Sequence, residues 1–408
     1  MKKAPASTSP NSYGSKANLL PASPALRPRH HRVVAACLLV TAIFIALVIY
    51  ARVFSDQTAF DRDYIEYWAQ GQLLAHHADP FDPAAILRVQ QTDGLQRQTA
   101  LISFSPPVAL WLTLPLGHVS PRAGLYGWRL AQFAALSLAL WLLWILNGRP
   151  LSRWHLLGYL FAPVIECQKL GQLSIFLLLC LVLFLLLYKT HAFVAGALLA
   201  PFALKPHLLL PFALVLLVWV MLRRTYALLA GAAVTLAVSC ALSLYLDPQA
   251  WFQYRHMMAG SGVMQKFIPA LPVVLRFVID RNAHWIQFAP EIGACAWALW
   301  YFWTRRNRWN WAHNGFVVLL VAAVCTPYGW FFDESILLPA VLAGLYSALE
   351  NRRSVLPLAV IAAVSLAEAA ADLPLGYYLW TTPAWLGWYL YATHTTKSGE
   401  AESTASAA

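Results

Sequence analysis

The chain has 408 residues, of which 60% are hydrophobic and 12% charged, and its mean hydropathy is +0.56. Soluble domains run at roughly 45–50% apolar and about 25% charged, and a single core cannot hide this much apolar surface from water, so a water-soluble fold is excluded. The formal charge of +11 does not point to nucleic acid, because the basic residues lie in short clusters between apolar runs: Arg149/Arg153, Arg223/Arg224, Arg305/Arg306/Arg308 and Arg352/Arg353. Cytoplasmic loops have that appearance under the positive-inside rule, whereas a nucleic-acid surface would show a basic stripe or groove.

Residues 1–32 are rich in Pro, Ser, Ala and basic residues, with no acid before Asp56, which predicts a disordered cytoplasmic tail. The apolar run from Val33 to Val53 exceeds the roughly 7–15 residues of a signal-peptide core and is long enough to span. It opens a polytopic membrane domain expected over 33–393 and delivers residues 54–103 to the outside. That first outer loop carries seven of the eighteen acids: Asp56, Asp61, Asp63, Glu66, Asp79, Asp82 and Asp93. Two amphipathic helices are predicted in it, from about Tyr64 to Ala75 and from Pro83 to about Gln98. Asp82 before Pro83 is a favourable helix start.

Apolar segments follow at 104–118, 123–147, 154–167, 172–188, 192–222, 225–246, 286–304, 313–331, 335–349, 354–371 and 377–393. Several fall short of the ~20 residues of a straight crossing. Pro163 and the run Lys205-Pro206-His207 interrupt them, as in broken helices that line a cavity. A second outer loop, 247–285, holds Trp251, Tyr254, Arg255, His256 and Lys266, and residues 394–408 form a polar tail expected to be disordered. The expectation is an all-α polytopic protein of about 12 transmembrane helices with both termini cytoplasmic. Two routes through the first half remain open. Either 104–118 crosses and 192–222 is one kinked span, or 104–118 dips in and returns and 192–222 splits at Lys205-Pro206. The second keeps every basic cluster inside.

The six cysteines, Cys37, Cys167, Cys180, Cys240, Cys295 and Cys325, lie in apolar stretches without CxxC or Cys/His spacing, so neither a disulfide framework nor a zinc site is expected. His76 and His77 stand beside Asp79 without further ligands at helical or loop spacing, the pattern of a surface pair. No metal site is assigned, no cofactor is certain, and a divalent-metal requirement is unknown.

The stretch Asp61-Arg62-Asp63-Tyr64-Ile65-Glu66-Tyr67-Trp68 lies just beyond the first membrane helix. If Asp63 opens a helix, then Asp63, Tyr67 and Gln70 share one face, and a carboxylate at the mouth of an apolar cavity suits a general base. The alternative is a helix cap, with Glu66 completing a D-x-x-E box. Lys205 also has two readings. Lysine near a helix end snorkels to the interface, while an ionisable group inside an apolar run costs at least ~2.5–3.5 kcal/mol and marks a site by default. Glu166, Lys169 and Gln172 bracket Gly171 at a helix break. Most Trp and Tyr residues are read as an interfacial belt, with Trp68 and Trp330 as candidates to stack on a sugar or isoprenoid.

The run from Asp63 to Pro83, DYIEYWAQGQLLAHHADPFDP, resembles the outer-loop signature of glycosyltransferase family 87. Further similarities follow in the family's order: Phe104-Ser105-Pro106-Pro107, the Gly171-Gln172 helix start, Lys205-Pro206-His207, and the Thr326-Pro327 segment running to Leu342. Together they cover roughly residues 55–345. The resemblance implies a GT-C type membrane enzyme that uses a polyprenyl-phosphate sugar, with largely mannosyl transfer among known activities. It implies an active site on the outer face of a bacterial inner membrane, Asp63 as catalytic base and Asp61 as fallback. Some family members carry His near Phe332 or Asp333; this chain does not, which leaves Asp333 as the local polar candidate.

An inverting transferase needs a carboxylate to take the acceptor proton and a cation or oriented donors for the leaving phosphate. Lys205 and His207 are the first candidates for that second role, followed by Lys169, Arg129, Arg255 and His256. Tyr67, Trp68, Glu166, Gln172 and Asp333 complete the expected substrate-binding set. The expected partners are a polyprenyl-phosphate sugar donor, a lipid or glycan acceptor and the bilayer. Asp61-Arg62-Asp63 has the Asp-x-Asp form of nucleotide-sugar enzymes, but on the outer face such donors are scarce. A transporter or lipid-linked sugar flippase is the rival reading, and it should show internal repeats; the acidic loop has no counterpart in the second half. A non-catalytic scaffold would tolerate Asp63→Asn and Lys205→Ala.

Overall fold

The computed structural model describes residues 39–41, 43–44, 47–48, 63–92 and 98–394. The two expected tails, except for His394, and Asp61 lie outside the described residues, and so does most of the first membrane segment. Every regular element among the described residues is helical.

Helix α1 covers Tyr64–Ala75 and α2 covers Pro83–Thr92. Residues 104–118, one of the two ambiguous segments, form two short 3₁₀ helices, Pro107–Leu112 and Leu114–His118. Two such pieces are too short to form one continuous crossing. The first piece starts at Pro107, directly after Pro106, where the ring-fixed φ favours a helical first turn.

The long helix α3, Pro121–Leu146, has Pro121 at its first turn, and the Ser120 hydroxyl caps the Ala123 N–H. The chain continues through α4 (Ala162–Leu170), α5 (Ser174–Leu187), α6 (Ala192–Leu199), α7 (Leu210–Arg223) and α8 (Tyr226–Leu246). Within 247–285 lie α9 (Ala250–Gly260) and α10 (Leu271–Ile279). Then come α11 (Trp285–Arg305), α12 (Asn314–Cys325), a 3₁₀ turn Phe331–Leu337 that runs into α13 (Leu338–Glu350), α14 (Leu356–Ala370) and α15 (Thr381–Thr393).

Three helices among the described residues are long and apolar enough to cross a membrane: Pro121–Leu146, Tyr226–Leu246 and Phe331–Glu350. Shorter apolar helices such as Ser174–Leu187 and Leu210–Arg223 accompany them. At 1.5 Å per residue each of those two covers about 21 Å, less than a ~30 Å hydrocarbon core. The outward surfaces suit lipid, since Leu130, Phe133 and Trp141 on α3 and Val234 and Val238 on α8 are exposed.

One large core joins α3, α5, α7, α12, α13 and α15, with Trp311 fully buried among Phe184, Phe212, Trp219 and Trp309. A smaller cluster seats α1: Tyr64, Ile65, Trp68, Ala69 and Leu73 pack with Ile86 and Leu125. Backbone touches backbone where α1 meets Leu114–His118. A Cβ on Gly71 would lie 2.1 Å from the Thr113 carbonyl oxygen, and one on Gly117 would lie 2.1 Å from that of Gly71. Only a glycine pair permits this approach, and it fixes α1 against the Leu114–His118 turn.

Candidate functional site

The site is organised by the break between α4 and α5. Gly171 ends α4 in the left-handed region (φ +78°), and the N–H groups of Gly171 and Gln172 both donate to the Cys167 carbonyl at 3.0 Å. A left-handed glycine of this kind terminates a helix at no steric cost. A Cβ there would also come within 2.7 Å of the Tyr64 Cβ. Helix α3 holds the break from behind: the Trp128 indole donates to the Gly171 carbonyl at 2.8 Å, and the Gln132 amide to the Gln172 carbonyl at 2.7 Å. Trp128 and Gln132 are one turn apart and so share a face.

Held in this way, the Gln172 side chain joins residues from three distant segments. Its Nε2 donates to Asp63 Oδ2 at 2.7 Å. Its Oε1 accepts from the Tyr67 hydroxyl at 3.0 Å and from Lys205 Nζ at 3.5 Å. Since an ammonium can only donate, these contacts agree on which way the amide points. Asp63 stands at the N-cap position of α1 with φ −63° and ψ −22°, yet its carboxylate makes no capping bond. The carboxylate is turned to Gln172 instead, so the cap expected of it is not made.

Lys205 lies at the break in the 192–222 segment, between the 3₁₀ turns Ala200–Leu204 and Pro206–Leu208, with φ −139° and ψ 65°. The following proline disfavours helical backbone at Lys205, so the ammonium is presented from an irregular turn. Its Nζ lies 2.6 Å from Asp333 Oδ1 and 4.8 Å from the centre of the Phe332 ring. The Ser174 hydroxyl donates to the same oxygen at 2.7 Å, and the Trp330 N–H to Oδ2 at 3.3 Å. Asp63, Tyr67, Gln172, Ser174, Lys205 and Asp333 are thus one hydrogen-bonded network. A polar pocket wall continues from Asp333 to Glu334, Thr326, Trp330 and Tyr378, with Ala270 and Leu271 on its apolar side.

Glu66 belongs to the same electrostatic neighbourhood. Burial is the largest influence and raises its carboxyl well above the ordinary range; Asp63 adds to the rise, while Lys205 and the neighbouring Tyr67 oppose it. The Tyr67 phenol is likewise raised, first by burial and then by Glu66 and Asp63. Burial therefore favours the protonated form of Glu66, next to the Asp63 carboxyl that accepts from Gln172.

The remaining candidates are dispersed. Lys169 pairs with Glu166 at 3.3 Å and with Asp372 at 2.6 Å, at the end of α4. The His207 ring packs edge-on against Tyr328 at 5.6 Å. Arg255 and His256 are exposed on α9, and no contact with the network is seen for them. Trp68 is buried, with its indole donating to the Val119 carbonyl, so its ring forms part of the wall that seats α1. Trp330 stacks near-parallel on Phe332 at 6.1 Å. Arg129 is buried on α3. His76 is exposed, its Nδ1 2.8 Å from the Gln72 carbonyl oxygen. The five described cysteines are free thiols. Among the described residues no group of three His, Cys, Asp or Glu side chains is placed to hold a metal ion.

Sequence reading passed over Ser174, Trp128, Gln132 and Glu334. Ser174 stands two places after Gln172 and was within reach. Glu334 accepts from Thr381 at 2.6 Å and from the Trp385 indole at 2.9 Å, partners about fifty residues away that no local pattern signals.

The family model for glycosyltransferase family 87 matches residues 104–327. Gln172, Ser174 and Lys205 fall inside the matched span, Asp63 and Tyr67 precede it, and Asp333 follows it. No curated protein and no solved structure matches the chain.

Proposed function

The chain belongs to glycosyltransferase family 87 and is therefore a glycosyltransferase; from that premise we propose that it moves a hexose, mannose by preference, from a polyprenyl-phosphate donor to a lipid or lipid-linked glycan. Transfer takes place on the periplasmic face of a bacterial inner membrane, in a GT-C type domain of about twelve spans with cytoplasmic termini. The observation that carries this reading is the Gln172 bridge, which brings an acidic outer-loop residue, Asp63, and a membrane-segment lysine, Lys205, to one side chain.

The acceptor hydroxyl oxygen attacks the anomeric carbon, its proton passes to the Asp63 carboxylate, and the bond between that carbon and the phosphate oxygen breaks. The electron pair stays on the polyprenyl phosphate, and the anomeric configuration inverts. A fixed carboxylate in this role is worth ~10²–10⁴ in rate. Gln172 orients it by donating to Oδ2. An ammonium has three donors; Asp333 and Gln172 engage two on Lys205, which leaves a third for a phosphate oxygen. His207, two residues on in the same turn, lines the phosphate side. Asp61 is the fallback base.

The test is label transfer from polyprenyl-phosphate mannose to a lipid extract by membranes that carry the wild-type protein. Labelled lipid product supports the reading. No product from any polyprenyl-phosphate hexose across a broad extract contradicts it.

A further inference from the structure

Helix α10, Leu271–Ile279, carries apolar residues on two sides. Pro272, Val273 and Arg276 are buried, and Val273 joins Ile268 and Ala270 in a cluster that packs on Tyr328 and Trp330. Leu271, Leu275 and Val278 follow at i, i+4 and i+7 on another face, with Ile279 beside Val278. Leu271 lines the pocket that also holds Trp330 and Asp333. Leu275, Val278 and Ile279 are exposed, Val278 at 78%. One apolar stripe runs from the pocket wall to the surface.

The surroundings identify what covers its outer end. Nine residues at 1.5 Å each make a helix of about 14 Å, too short to cross a ~30 Å hydrocarbon core, so α10 lies along a surface. It packs against α11, whose Trp285, Ile292, Trp300 and Trp303 are exposed, Trp285 at 71%. Phe267, just before α10, is exposed as well. The stripe therefore continues onto the apolar outer side of α11 and is not an isolated patch. Cations stand at both ends. Lys266 and Arg281 are exposed, with Lys266 Nζ 5.8 Å from the Phe104 ring centre and the Arg281 guanidinium 5.0 Å from that of Phe277. The neighbouring acid, Asp280, accepts from the Asn282 N–H at 2.9 Å. An apolar face with aromatic neighbours and flanking cations suits a helix that lies in a bilayer interface. There long cationic side chains reach the phosphates, and tryptophan sits at headgroup level.

We propose that α10 lies in the headgroup layer of the bilayer, with Leu275, Val278 and Ile279 among the acyl chains and Lys266 and Arg281 on anionic phosphates. The pocket rim, Pro269–Leu271, is then held at the lipid surface. This goes beyond the transfer reaction and does not depend on the donor or the sugar.

The experiment puts a fluorescent non-canonical amino acid in place of Val278 in the full chain, in nanodiscs of phosphatidylcholine and phosphatidylglycerol. Ile279, next on the stripe, is the second position. Acyl-brominated lipid should quench the probe, and aqueous acrylamide should quench it far less than the free amino acid. Each Lys or Arg at an anionic surface enriches that lipid roughly fivefold, so bromine on phosphatidylglycerol should quench at least about twofold more than bromine on phosphatidylcholine. Lys266→Gln/Arg281→Gln should abolish that preference. Acrylamide quenching equal to that of the free amino acid means a water-facing helix, and quenching by neither agent means a face covered by a second copy or another protein; both overturn the proposal. Equal quenching by the two brominated lipids in wild type, or a preference that survives the double substitution, overturns it too. The readout needs no transfer activity, so failure of the donor assignment leaves the result on α10 standing.

Discussion

Gln172 Nε2 donates to Asp63 Oδ2 at 2.7 Å across 109 positions of sequence. The bond connects the start of α1 to the break between α4 and α5, and in the proposed mechanism it orients the base. Substituting Gln172→Leu removes a hydrogen bond to a charged group, worth about 1.5–3 kcal/mol. The expected result is a fall in kcat of about ten- to a hundredfold with a smaller change in KM, measured as initial rates of lipid mannosylation. Equal losses in kcat and in donor affinity would place Gln172 in binding rather than in orienting the base.

The ion pair of Lys205 with Asp333, at 2.6 Å, is largely sheltered, with the side chains 13% and 3% exposed. Removing one partner strands the other, a loss of about 3–5 kcal/mol. Lys205→Met and Asp333→Leu should each lower the melting temperature, and the double substitution should recover much of it. Transfer should stay lost in the double variant, because its cation is gone. Restored transfer in that variant would make the pair purely structural.

Gly171→Ala puts a side chain at φ +78° and within 2.7 Å of the Tyr64 Cβ. The left-handed backbone alone costs about 1–2 kcal/mol, and the contact adds to it. Thermal unfolding should shift down, and transfer should fall further than stability does, since Gln172 moves with the break. A variant as stable and active as wild type would show that the break has freedom the packing denies it.

Glu66 carries a pH signature. Its folded carboxyl titrates well above the ordinary carboxylate value of 4.5, chiefly through burial, with Asp63 raising it and Lys205 and Tyr67 opposing. Above pH 4.5 the unfolded chain has lost this proton while the folded chain still holds it, so rising pH favours unfolding. The stabilisation is complete below 4.5 and is lost as pH climbs toward the folded value. Glu66→Gln should flatten that part of the stability profile and raise the melting temperature at neutral pH. An unchanged slope in the variant would assign the dependence to another group.

The span of α1 could be read from sequence because its signals are local: Asp63 at the start, apolar residues on one face, and a polar run after Ala75. The described part of the second helix runs to Thr92, and Asp93–Arg97, the rest of its expected span, lie outside the described residues. Asp63 and Tyr67 share a helix face in the sequence, Gln172 stands at a helix break, Lys205 interrupts an apolar run, and Asp333 follows from the family resemblance; folding brings these five together. Other placements depended on partners far away in the chain. Lys169 is drawn to Asp372 across 203 positions, and Trp68 is turned inward by the Val119 carbonyl. The break at Lys205 was legible because Pro206 forbids a continuous helix.

The most direct test of Asp63 as the base compares wild type with Asp63→Asn at matched expression and unfolding temperature, by label transfer from polyprenyl-phosphate mannose. The amide keeps the size of the side chain and cannot take the acceptor proton, so transfer should fall at least a hundredfold, in line with ~10²–10⁴ for a general base. Transfer undiminished in Asp63→Asn would contradict the account and move the base to Asp61.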